Sequence, residues 1–411
     1  MEIQQRNYRS PFSKSGVFLL AANPWIWANA STGLETILIL FVTLGLWVST
    51  ERYKEMGSMG FFIAILSFSI ISVLSRVDGF IPPLISALYL FIRKSKKDGI
   101  LVIIFVAGCM ALYTVFRFFY YDDFIANTFY VKVSGGLTDR FSRGLDFLGQ
   151  NLIKTGLIIA ALALYFHFLR NDPSQSTLER TSFAALFLVY WVSYLVYIGG
   201  DIYYERFIVP IIPFIVYIAL SNGDRFKKLH LYIVTVLIYF APIYYASKDG
   251  RFEWSSPKYD MWVSLGKYLG EAPKGSTLAI DAAGKVPFFS GLPTIDILGL
   301  NDKHIGKIRP TRTGMPGHEK FDPDYVLGRA PTYISAWISP SLDMGWGLVK
   351  EKYIKEYKLK YLVNSSRKDL DERNIIDVSS LGVLELKNLI QNGYNYGVLL
   401  RKENFDDHGQ L

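Results

Sequence analysis

The sequence is short of the residues and motifs that usually mark a metal, nucleotide or hydrolase site. It has one cysteine, Cys109, in 411 residues, so no intrachain disulfide can form. This thiol lies in an apolar run, where we expect it to act as a small apolar side chain. The five histidines show no zinc-site spacing with cysteine or aspartate. G-x-G-x-x-G, P-loop and nucleophile-elbow motifs are also missing, which argues against nucleotide-binding enzymes and serine hydrolases.

The composition combines a large apolar fraction with many charges. Hydrophobic residues make up 51% of the chain, aromatic residues 16% and charged residues 19%, with a mean hydropathy of +0.22. This mixture predicts a membrane part and a soluble part in one chain. The net charge is +8, but the basic residues of the first part lie in clusters between apolar runs, which favours orientation in a membrane. We therefore expect a lipid bilayer as a partner, and no nucleic acid.

Residues 1–248 contain a succession of apolar runs separated by brief polar links, after a polar start. Several fall a little short of the ~20 residues that cross a ~30 Å hydrocarbon layer. Their succession predicts a polytopic α-helical membrane domain of about nine spans, followed by an extracytoplasmic domain over 249–411. Residues 1–16 are polar and lack a signal-peptide cleavage pattern, so we expect no cleaved signal. The runs lie at 17–30, 33–49, 60–75, 79–92, 99–119, 151–169, 182–198, 205–220 and 230–246.

Lysine and arginine clusters fix the predicted orientation, because positive charge collects on cytoplasmic loops. Placing the clusters inside is consistent, since an even number of predicted spans separates each from the next. The N-terminus and the Arg52/Lys54 loop then lie inside, and everything after about residue 247 lies outside. We predict a multi-pass protein of the cytoplasmic (inner) membrane with its C-terminal domain on the extracytoplasmic side. The clusters are Arg93, Lys94, Lys96 and Lys97; Arg170 and Arg180; and Arg225, Lys227 and Lys228.

On the predicted outer side, ionisable residues stand at the ends of apolar runs. They are functional candidates, because a charge at a span end that faces a protein-lined cavity usually serves a purpose. Each position also has a structural explanation: Arg76 and Asp78 could pair with each other, and Glu35 could cap the next helix. The candidate substrate-binding residues of this group are Glu35, Arg76, Asp78, Asp201 and Arg206.

The stretch 116–132, FRFFYYDDFIANTFYVK, carries the second group of candidates. It ends an apolar run with five aromatic residues and continues with Asp122 and Asp123. An acidic pair at a membrane–water boundary is costly to keep there without a function. The alternative is an aromatic belt followed by a solvated turn. Asn127, Tyr130 and Lys132 complete the group as donor-binding candidates.

Residues 249–411 have the pattern of a small α/β domain. The turn Asp281-Ala-Ala-Gly284 follows a predicted strand, where backbone amides could meet an anion. His318 lies in the loop GMPGHEK as a substrate-binding candidate, although an ordinary loop histidine explains it as well. Helix-like stretches are Met261–Leu269 and Leu348–Glu356, and predicted strands are Thr277–Ile280, Thr294–Leu298, Thr332–Ala336, Lys360–Val363 and Tyr396–Leu400.

These features fit chemistry between a lipid-borne sugar donor and a polar acceptor. A lipid phosphate at the interface needs Arg or Lys to neutralise it, and Arg76, Arg206 and Lys132 are the candidates. A carboxylate must deprotonate the acceptor hydroxyl, and aromatic faces suit sugar rings. We expect no cofactor, although an acidic pair near a phosphate could share a divalent cation.

The chain resembles the GT-C membrane glycosyltransferases, in particular the cell-wall arabinofuranosyltransferases and their relatives. The resemblance implies a polyprenyl-phosphate sugar donor, transfer to a cell-envelope glycan or glycoconjugate acceptor outside the cytoplasmic membrane, and an α/β outer domain that helps to hold the acceptor. It rests on five stretches in this order: ANPWIWANASTGLET, LSRVDGF, YYDDFIANTFYVK, GGDIYYERFIVPIIP, and DILGLNDKHI with PGHEK.

The resemblance has one departure. GT-C enzymes commonly carry the catalytic base as an acidic pair in the first outer loop, whereas Glu2 is the only acid between Met1 and Trp25. The chain could start late and lack the N-terminal span and first outer loop, another polypeptide could complete the site, or the protein could have lost catalysis. Asp122 and Asp123 are the best base if the chain is active as written, and donor-binding residues if it starts late.

Two other functions fit the same residues. A transporter or flippase of lipid-linked sugars would use the phosphate site without a base, and Pro210 and Pro213 could break a span as such proteins require. A non-catalytic relative could serve envelope assembly through its outer domain. The formation of a new glycosidic bond separates both from a transferase.

Overall fold

The chain divides into two compact units, which we call the helical unit and the α/β unit. The helical unit comprises Met1–Ala126 and Gly136–Phe252, and the α/β unit comprises Asn127–Gly135 and Glu253–Leu411. The sequence sets the boundary after residue 248, whereas the structure divides the chain after Phe252 and assigns a short earlier segment to the second unit. The computed structural model describes residues 20–133, 135–155, 175–201, 205–221, 240, 242–248, 260–312, 314, 316–365 and 374–404.

Helices of the helical unit begin and end where the local sequence supplies caps. The Asn23 side chain accepts hydrogen bonds from the backbone N–H groups of Trp25 and Ile26, at 3.0 and 3.3 Å. Gly57 ends the second helix in the left-handed conformation, with φ 64°. The helices are α1 (Pro24–Ser31), α2 (Thr36–Met56), α3 (Met59–Ser75), α4 (Ile81–Arg93), α5 (Lys96–Tyr121), α7 (Leu137–Lys154), α8 (Gln175–Ile198) and α9 (Ile212–Ser221), while α6 (Asn127–Lys132) belongs to the α/β unit.

The prediction of a nine-span membrane domain is wrong. Among the described residues, two helices, α2 and α5, are long and apolar enough to cross a membrane. The apolar helices α3 and α4 have 17 and 13 residues. At 1.5 Å per residue a 13-residue helix is only about 20 Å long, less than the hydrocarbon layer. An apolar run in the sequence therefore did not guarantee a helix of spanning length.

Proline residues explain part of this difference. Pro24 begins an α1 of only eight residues in the run 17–30. In the run 205–220 the chain first forms a turn and a 3₁₀ segment at Val209–Ile211, and only then α9. Other predicted features lie largely or wholly outside the described residues: the runs 151–169 and 230–246, and the basic residues Arg170, Arg225, Lys227 and Lys228.

Helix α5 exposes apolar side chains along most of its 26 residues. Ile104, Leu112 and Phe119 are 62%, 74% and 82% exposed. Soluble monomers rarely expose a continuous apolar surface of this kind. Helices α2 and α5 are therefore compatible with association of the chain with a membrane.

An aromatic core holds α2, α8 and α9 together. The ring centroid of Trp47 on α2 lies 6.2 Å from that of Phe183 on α8 and 5.0 Å from that of Phe214 on α9. Each of these three residues, Trp47, Phe183 and Phe214, is at most 1% exposed. Burial of such rings contributes about 1.5–3 kcal/mol each, so this contact stabilises the packing of the three helices.

The α/β unit contains a six-stranded mixed sheet, of which five strands lie in or next to the stretches predicted from the sequence, whereas the strand at Ile375–Asp377 was not predicted. The strand order is β2-β1-β3-β6-β4-β5. β1 pairs parallel with β2 and β3, while β6 runs antiparallel to β3 and β4. The strands are β1 (Leu278–Ile280), β2 (Thr294–Asp296), β3 (Tyr333–Trp337), β4 (Tyr357–Val363), β5 (Ile375–Asp377) and β6 (Tyr396–Arg401).

Helices cover both faces of this sheet. Val286 of α11 packs with Leu278 and Ile280 on one face. Ile305 of α12 and Val326 of α13 pack with the alternate residues of β1 and β3 on the other. The helices are α10 (Met261–Leu269), α11 (Lys285–Ser290), α12 (Lys303–Lys307), α13 (Pro323–Gly328), α14 (Lys350–Tyr353) and α15 (Val383–Gln391).

Candidate functional site

Five of the residues singled out in the sequence gather around one phenylalanine ring of the helical unit. The Arg76 and Arg206 guanidinium carbons lie 5.0 and 5.5 Å from the centroid of the Phe207 ring. Tyr194 connects the two sides, because its hydroxyl hydrogen-bonds Asp78 and it interacts electrostatically with both arginines. We call this group the charge cluster; its ionisable members are Glu35, Arg76, Asp78, Asp201 and Arg206.

Arg76 binds two carboxylates. Its Nε and Nη2 donate to Asp78 Oδ1 and Oδ2 at 2.6 and 3.0 Å, and its Nη1 donates to Glu35 Oε1 at 2.6 Å. Glu35 precedes α2, but its side chain makes no capping hydrogen bond. The structural alternative for Arg76 and Asp78 is thus observed, since they do pair, whereas Glu35 binds Arg76 instead of capping the helix.

A tight turn between α3 and α4 positions this pair. The Gly79 N–H donates to the Arg76 carbonyl at 3.0 Å, and the Ser72 hydroxyl donates to the Gly79 carbonyl at 2.6 Å. A Cβ at position 79 would lie 1.8 Å from the Ser72 carbonyl oxygen. The stretch SRVDGF therefore needs its glycine for the close backbone approach that places Arg76 and Asp78 side by side.

Arg206 and Asp201 form the other half of the cluster. Arg206 Nε donates to Asp201 Oδ2 at 2.7 Å, and Nη2 donates to the same oxygen. The two side chains are 7% and 8% exposed. Between them, Glu205 has a φ of 53°, which is uncommon for a residue other than glycine and places the following residues in the turn before Val209–Ile211. Trp191 secures this turn by donating from Nε1 to the Phe207 carbonyl at 2.7 Å.

The cluster carries one more carboxylate than guanidinium group. Burial of these charges is costly, and their mutual hydrogen bonds offset that cost. A guanidinium has five N–H groups, and the two acids use three of those on Arg76. A phosphate could bind through the remaining N–H groups, and the carboxylate oxygens could accept hydrogen bonds from sugar hydroxyls. Among the described residues, no group of three His, Cys, Asp or Glu side chains is arranged to hold a metal ion.

Asp122 and Asp123 end α5. Asp122 caps the helix in the left-handed conformation, φ 52°, with its N–H donating to the Phe118 carbonyl at 2.9 Å. Asp123 is 9% exposed, and its Oδ1 accepts from the Ile125 N–H at 3.4 Å. The residues that flank the pair in the sequence include exposed aromatic side chains such as Phe119 and Tyr120. Their assignment as catalytic base stays a prediction.

Asn127, Tyr130 and Lys132 lie on α6, within the α/β unit. The Asn127 Nδ2 donates to the carbonyl oxygens of Gly299, Leu300 and Asp302, at 2.5, 3.3 and 2.8 Å. These bonds attach the segment to the loop after β2. They use the amide N–H groups that would otherwise be available to a sugar donor.

Lys320 attaches the same segment from another side. Its buried Nζ donates to the carbonyl oxygens of Tyr130 and Gly306, at 2.8 and 2.7 Å. Burial lowers the pKa of this amine. The Lys307 amine lies 5.3 Å from the centroid of the Tyr130 ring. The sequence shows no local signal for these contacts, because the partners are far apart along the chain.

His318 contacts the loop around it. Its Nδ1 lies 3.3 Å from the Pro316 carbonyl oxygen, and its ring centroid lies 5.6 Å from that of Trp346. Trp346 in turn donates from Nε1 to Asp281 Oδ2 at 2.7 Å. Burial raises the pKa of Asp281, while the hydrogen bonds from Tyr396 and Trp346 act to lower it. Of these residues, sequence reasoning noted the turn at Asp281 but missed Trp346.

Comparison with known proteins identifies one domain. Residues 252–379, less than half of the chain, match the model of a family described as a domain of unknown function, DUF8728. No curated protein and no solved structure matches the chain. The match lies within the α/β unit, apart from its first residue, and includes Asp281, His318 and Trp346.

Proposed function

We propose that this chain transfers a sugar from a polyprenyl-phosphate donor to a cell-envelope glycan on the extracytoplasmic face of the cytoplasmic membrane, as in GT-C glycosyltransferases. The observation that carries the proposal is the charge cluster. Two arginines and three carboxylates meet around Phe207 in a helical unit that also exposes the apolar surface of α5. A lipid phosphate has one apolar and one anionic part, and this unit offers a surface for each.

The cluster would bind the head of the sugar donor. Arg76 and Arg206 would donate their remaining N–H groups to the phosphate, because guanidinium groups bind phosphate through several parallel hydrogen bonds. Glu35, whose side chain is 34% exposed, is the most accessible of the carboxylates paired with Arg76. It would accept hydrogen bonds from sugar hydroxyls.

The ends of α2 and α5 support an extracytoplasmic site. Arg52 and Lys54 lie at the C-terminal end of α2, and the Lys94 amine donates to the Lys54 carbonyl at 3.2 Å just before α5. Basic residues of both helices thus share one end, which the positive-inside rule assigns to the cytoplasm. Glu35 precedes α2 and Asp122 ends α5, both at the opposite helix ends. We propose that the α/β unit lies on that side too.

Asp122 and Asp123 are the proposed base. One of them would accept the proton of the acceptor hydroxyl, while the arginines stabilise the departing polyprenyl phosphate. Exposed aromatic side chains flank the pair in the sequence, among them Tyr120, which is 69% exposed. Such rings offer flat faces to a sugar.

The test uses the purified chain in nanodiscs with a radiolabelled polyprenyl-phosphate pentose and an envelope glycan. We expect labelled glycan from the wild type and none from the double variant Asp122→Asn with Asp123→Asn. Exposed Asp324, in the α/β unit, provides the control variant Asp324→Asn, which should transfer normally. Undiminished transfer by the double variant would reject the base assignment.

One observation favours a second candidate, a flippase of lipid-linked sugars. The chain around Pro210 forms a 3₁₀ segment before α9, and interrupted helices are typical of transporter sites. A flippase would move the labelled lipid across a proteoliposome membrane without forming a glycosidic bond. A non-catalytic relative would do neither, so the two readouts separate all three functions.

A further inference from the structure

The α/β unit has a topological switch point between β1 and β3. β1 lies between β2 and β3 and is parallel to both. The connection that leaves β1 packs on one face of the sheet through Val286, and the connection that leaves β3 packs on the other through Ile338, Leu342 and Met344. In open parallel sheets, connections that leave on opposite faces open a crevice at the carboxyl ends of the two strands, where ligands bind.

Three residues mark this edge of the sheet. Asp281 follows the last residue of β1, Trp337 is the last residue of β3, and Tyr396 begins the antiparallel β6 at the same edge, opposite Trp337. The Tyr396 hydroxyl donates to Asp281 Oδ1 at 2.6 Å. The Asp281 carboxylate also accepts hydrogen bonds from the backbone N–H groups of Ala282 and Trp337. Asp281 therefore ties the two strand ends together and acts as a positioning residue.

Asp281 also orients a second indole. Trp346 donates to it and has a φ of 64°, an outlier for a bulky side chain. The Arg312 guanidinium lies 4.6 Å from the centroid of the Trp346 ring, and the His318 ring lies beside it. Backbone strain of this kind persists only where the surroundings hold it, and it is common at binding sites.

Trp337 presents an indole to solvent at the centre of this edge. It is 40% exposed although it ends a strand that is otherwise buried. Trp262 and Tyr396 contact it edge-on, at interplanar angles of 85° and 86°. Such contacts support the ring from its sides and fix its orientation.

We propose that this crevice binds a glycan, with one sugar ring stacked on Trp337. Sugar rings have an apolar face that packs on an indole and hydroxyl groups around the edge that need polar partners. His318 and Arg312 supply such partners beside Trp346. A nucleotide fits less well, since the turn after β1 has no glycine-rich phosphate motif and Lys285, which follows that turn, pairs with Asp260.

This inference deepens the proposed function, on which it rests only for the role of the bound glycan as acceptor. The site itself follows from the α/β unit alone. It can therefore be measured without a sugar donor. Binding without transfer would reject the transferase and keep the glycan site. Transfer without binding at this crevice would keep the transferase and reject the glycan site.

The experiment measures binding of the full chain in nanodiscs to an array of oligosaccharides built from pentofuranose, hexofuranose and hexopyranose rings. We expect a subset to bind, with Trp337→Ala reducing binding at least tenfold and Trp337→Phe retaining part of it. Phe288→Ala is the matched control, because Phe288 is an 81% exposed aromatic whose ring contacts Phe289, and should not change binding. No bound glycan, or equal binding by Trp337→Ala, would overturn the proposal.

A second measurement needs no variant. Hydrogen exchange of the wild-type chain with and without the bound oligosaccharide should show protection of the backbone amides at 281–284 and 337–347. Protection confined to other segments would overturn the assignment of the crevice, even if the array gives binding.

Discussion

Removal of the Arg76 charge alone should lower the free energy of unfolding of the helical unit more than removal of the charges of Arg76, Glu35 and Asp78 together. Arg76→Met deletes the guanidinium that holds Asp78 and Glu35. The side chain of Asp78 is 6% exposed, so its carboxylate would remain buried without its main partner. Breaking a buried ion pair in this way costs about 3–5 kcal/mol. Glu35 adds little to this figure, because its side chain is 34% exposed and water can replace the lost bond.

The triple variant Arg76→Met, Glu35→Gln, Asp78→Asn tests the reasoning. It has no unpaired charge, and replacement of a complete buried ion network by hydrophobic residues of similar volume is often close to neutral. The amides at positions 35 and 78 are polar, so the expected recovery is partial. We expect it to recover at least half of the loss, even though one bond from Tyr194 to position 78 changes. The assay is the unfolding free energy from detergent titration followed by tryptophan fluorescence. A cost below about 1 kcal/mol for Arg76→Met, or no recovery in the triple variant, would refute the account of the cluster.

Two further predictions concern the α/β unit. Asn127→Asp should destabilise the attachment of α6, because a carboxylate would face the three carbonyl oxygens that the amide now contacts. Limited proteolysis after residue 126 should then be faster than in the wild type. An unchanged cleavage rate would contradict the role of Asn127. Burial raises the pKa of Asp281, so the folded state binds the proton of this carboxyl group more tightly than the unfolded state does. The free energy of unfolding should therefore fall as pH rises from the unfolded pKa of about 3.9 through the raised value. The protection of the β1 amides from hydrogen exchange should fall with pH in the wild type and fall less in Asp281→Asn. Identical pH dependences in the two proteins would contradict the prediction for Asp281.

Five strands of the sheet were predictable because they are short β-branched or aromatic runs between turn residues, whereas β5 was missed. The strand Thr332–Ala336, for example, differs from the observed Tyr333–Trp337 by one residue at each end. The strand order was not predictable, because it depends on contacts between distant segments. The position of α6 was not predictable either. Asn127 donates hydrogen bonds to residues more than 170 positions away, and no local sequence pattern indicates such a contact.

For the helical unit, the sequence overestimated the number of long helices. Apolar composition indicated nine spans, but Pro82 and Pro83 stand at the start of the short α4, and the run at 205–220 opens with a turn. The charge cluster was nevertheless predictable as a group. Glu35, Arg76 and Arg206 each stand at the end of an apolar run, where a charge is costly without a partner. Which charges would pair, and that Tyr194 and Phe207 would join them, required the structure.

The most direct test of the central claim is whether the charge cluster binds a polyprenyl phosphate. The measurement is equilibrium binding of radiolabelled polyprenyl phosphate to the full chain in nanodiscs. Arg206→Gln should weaken binding at least tenfold. Arg52→Gln, which removes the same charge at the other end of α2 where Arg52 pairs with Glu55, should leave it unchanged. Equal affinities for the wild type and Arg206→Gln, or an equal loss in both variants, would contradict the account.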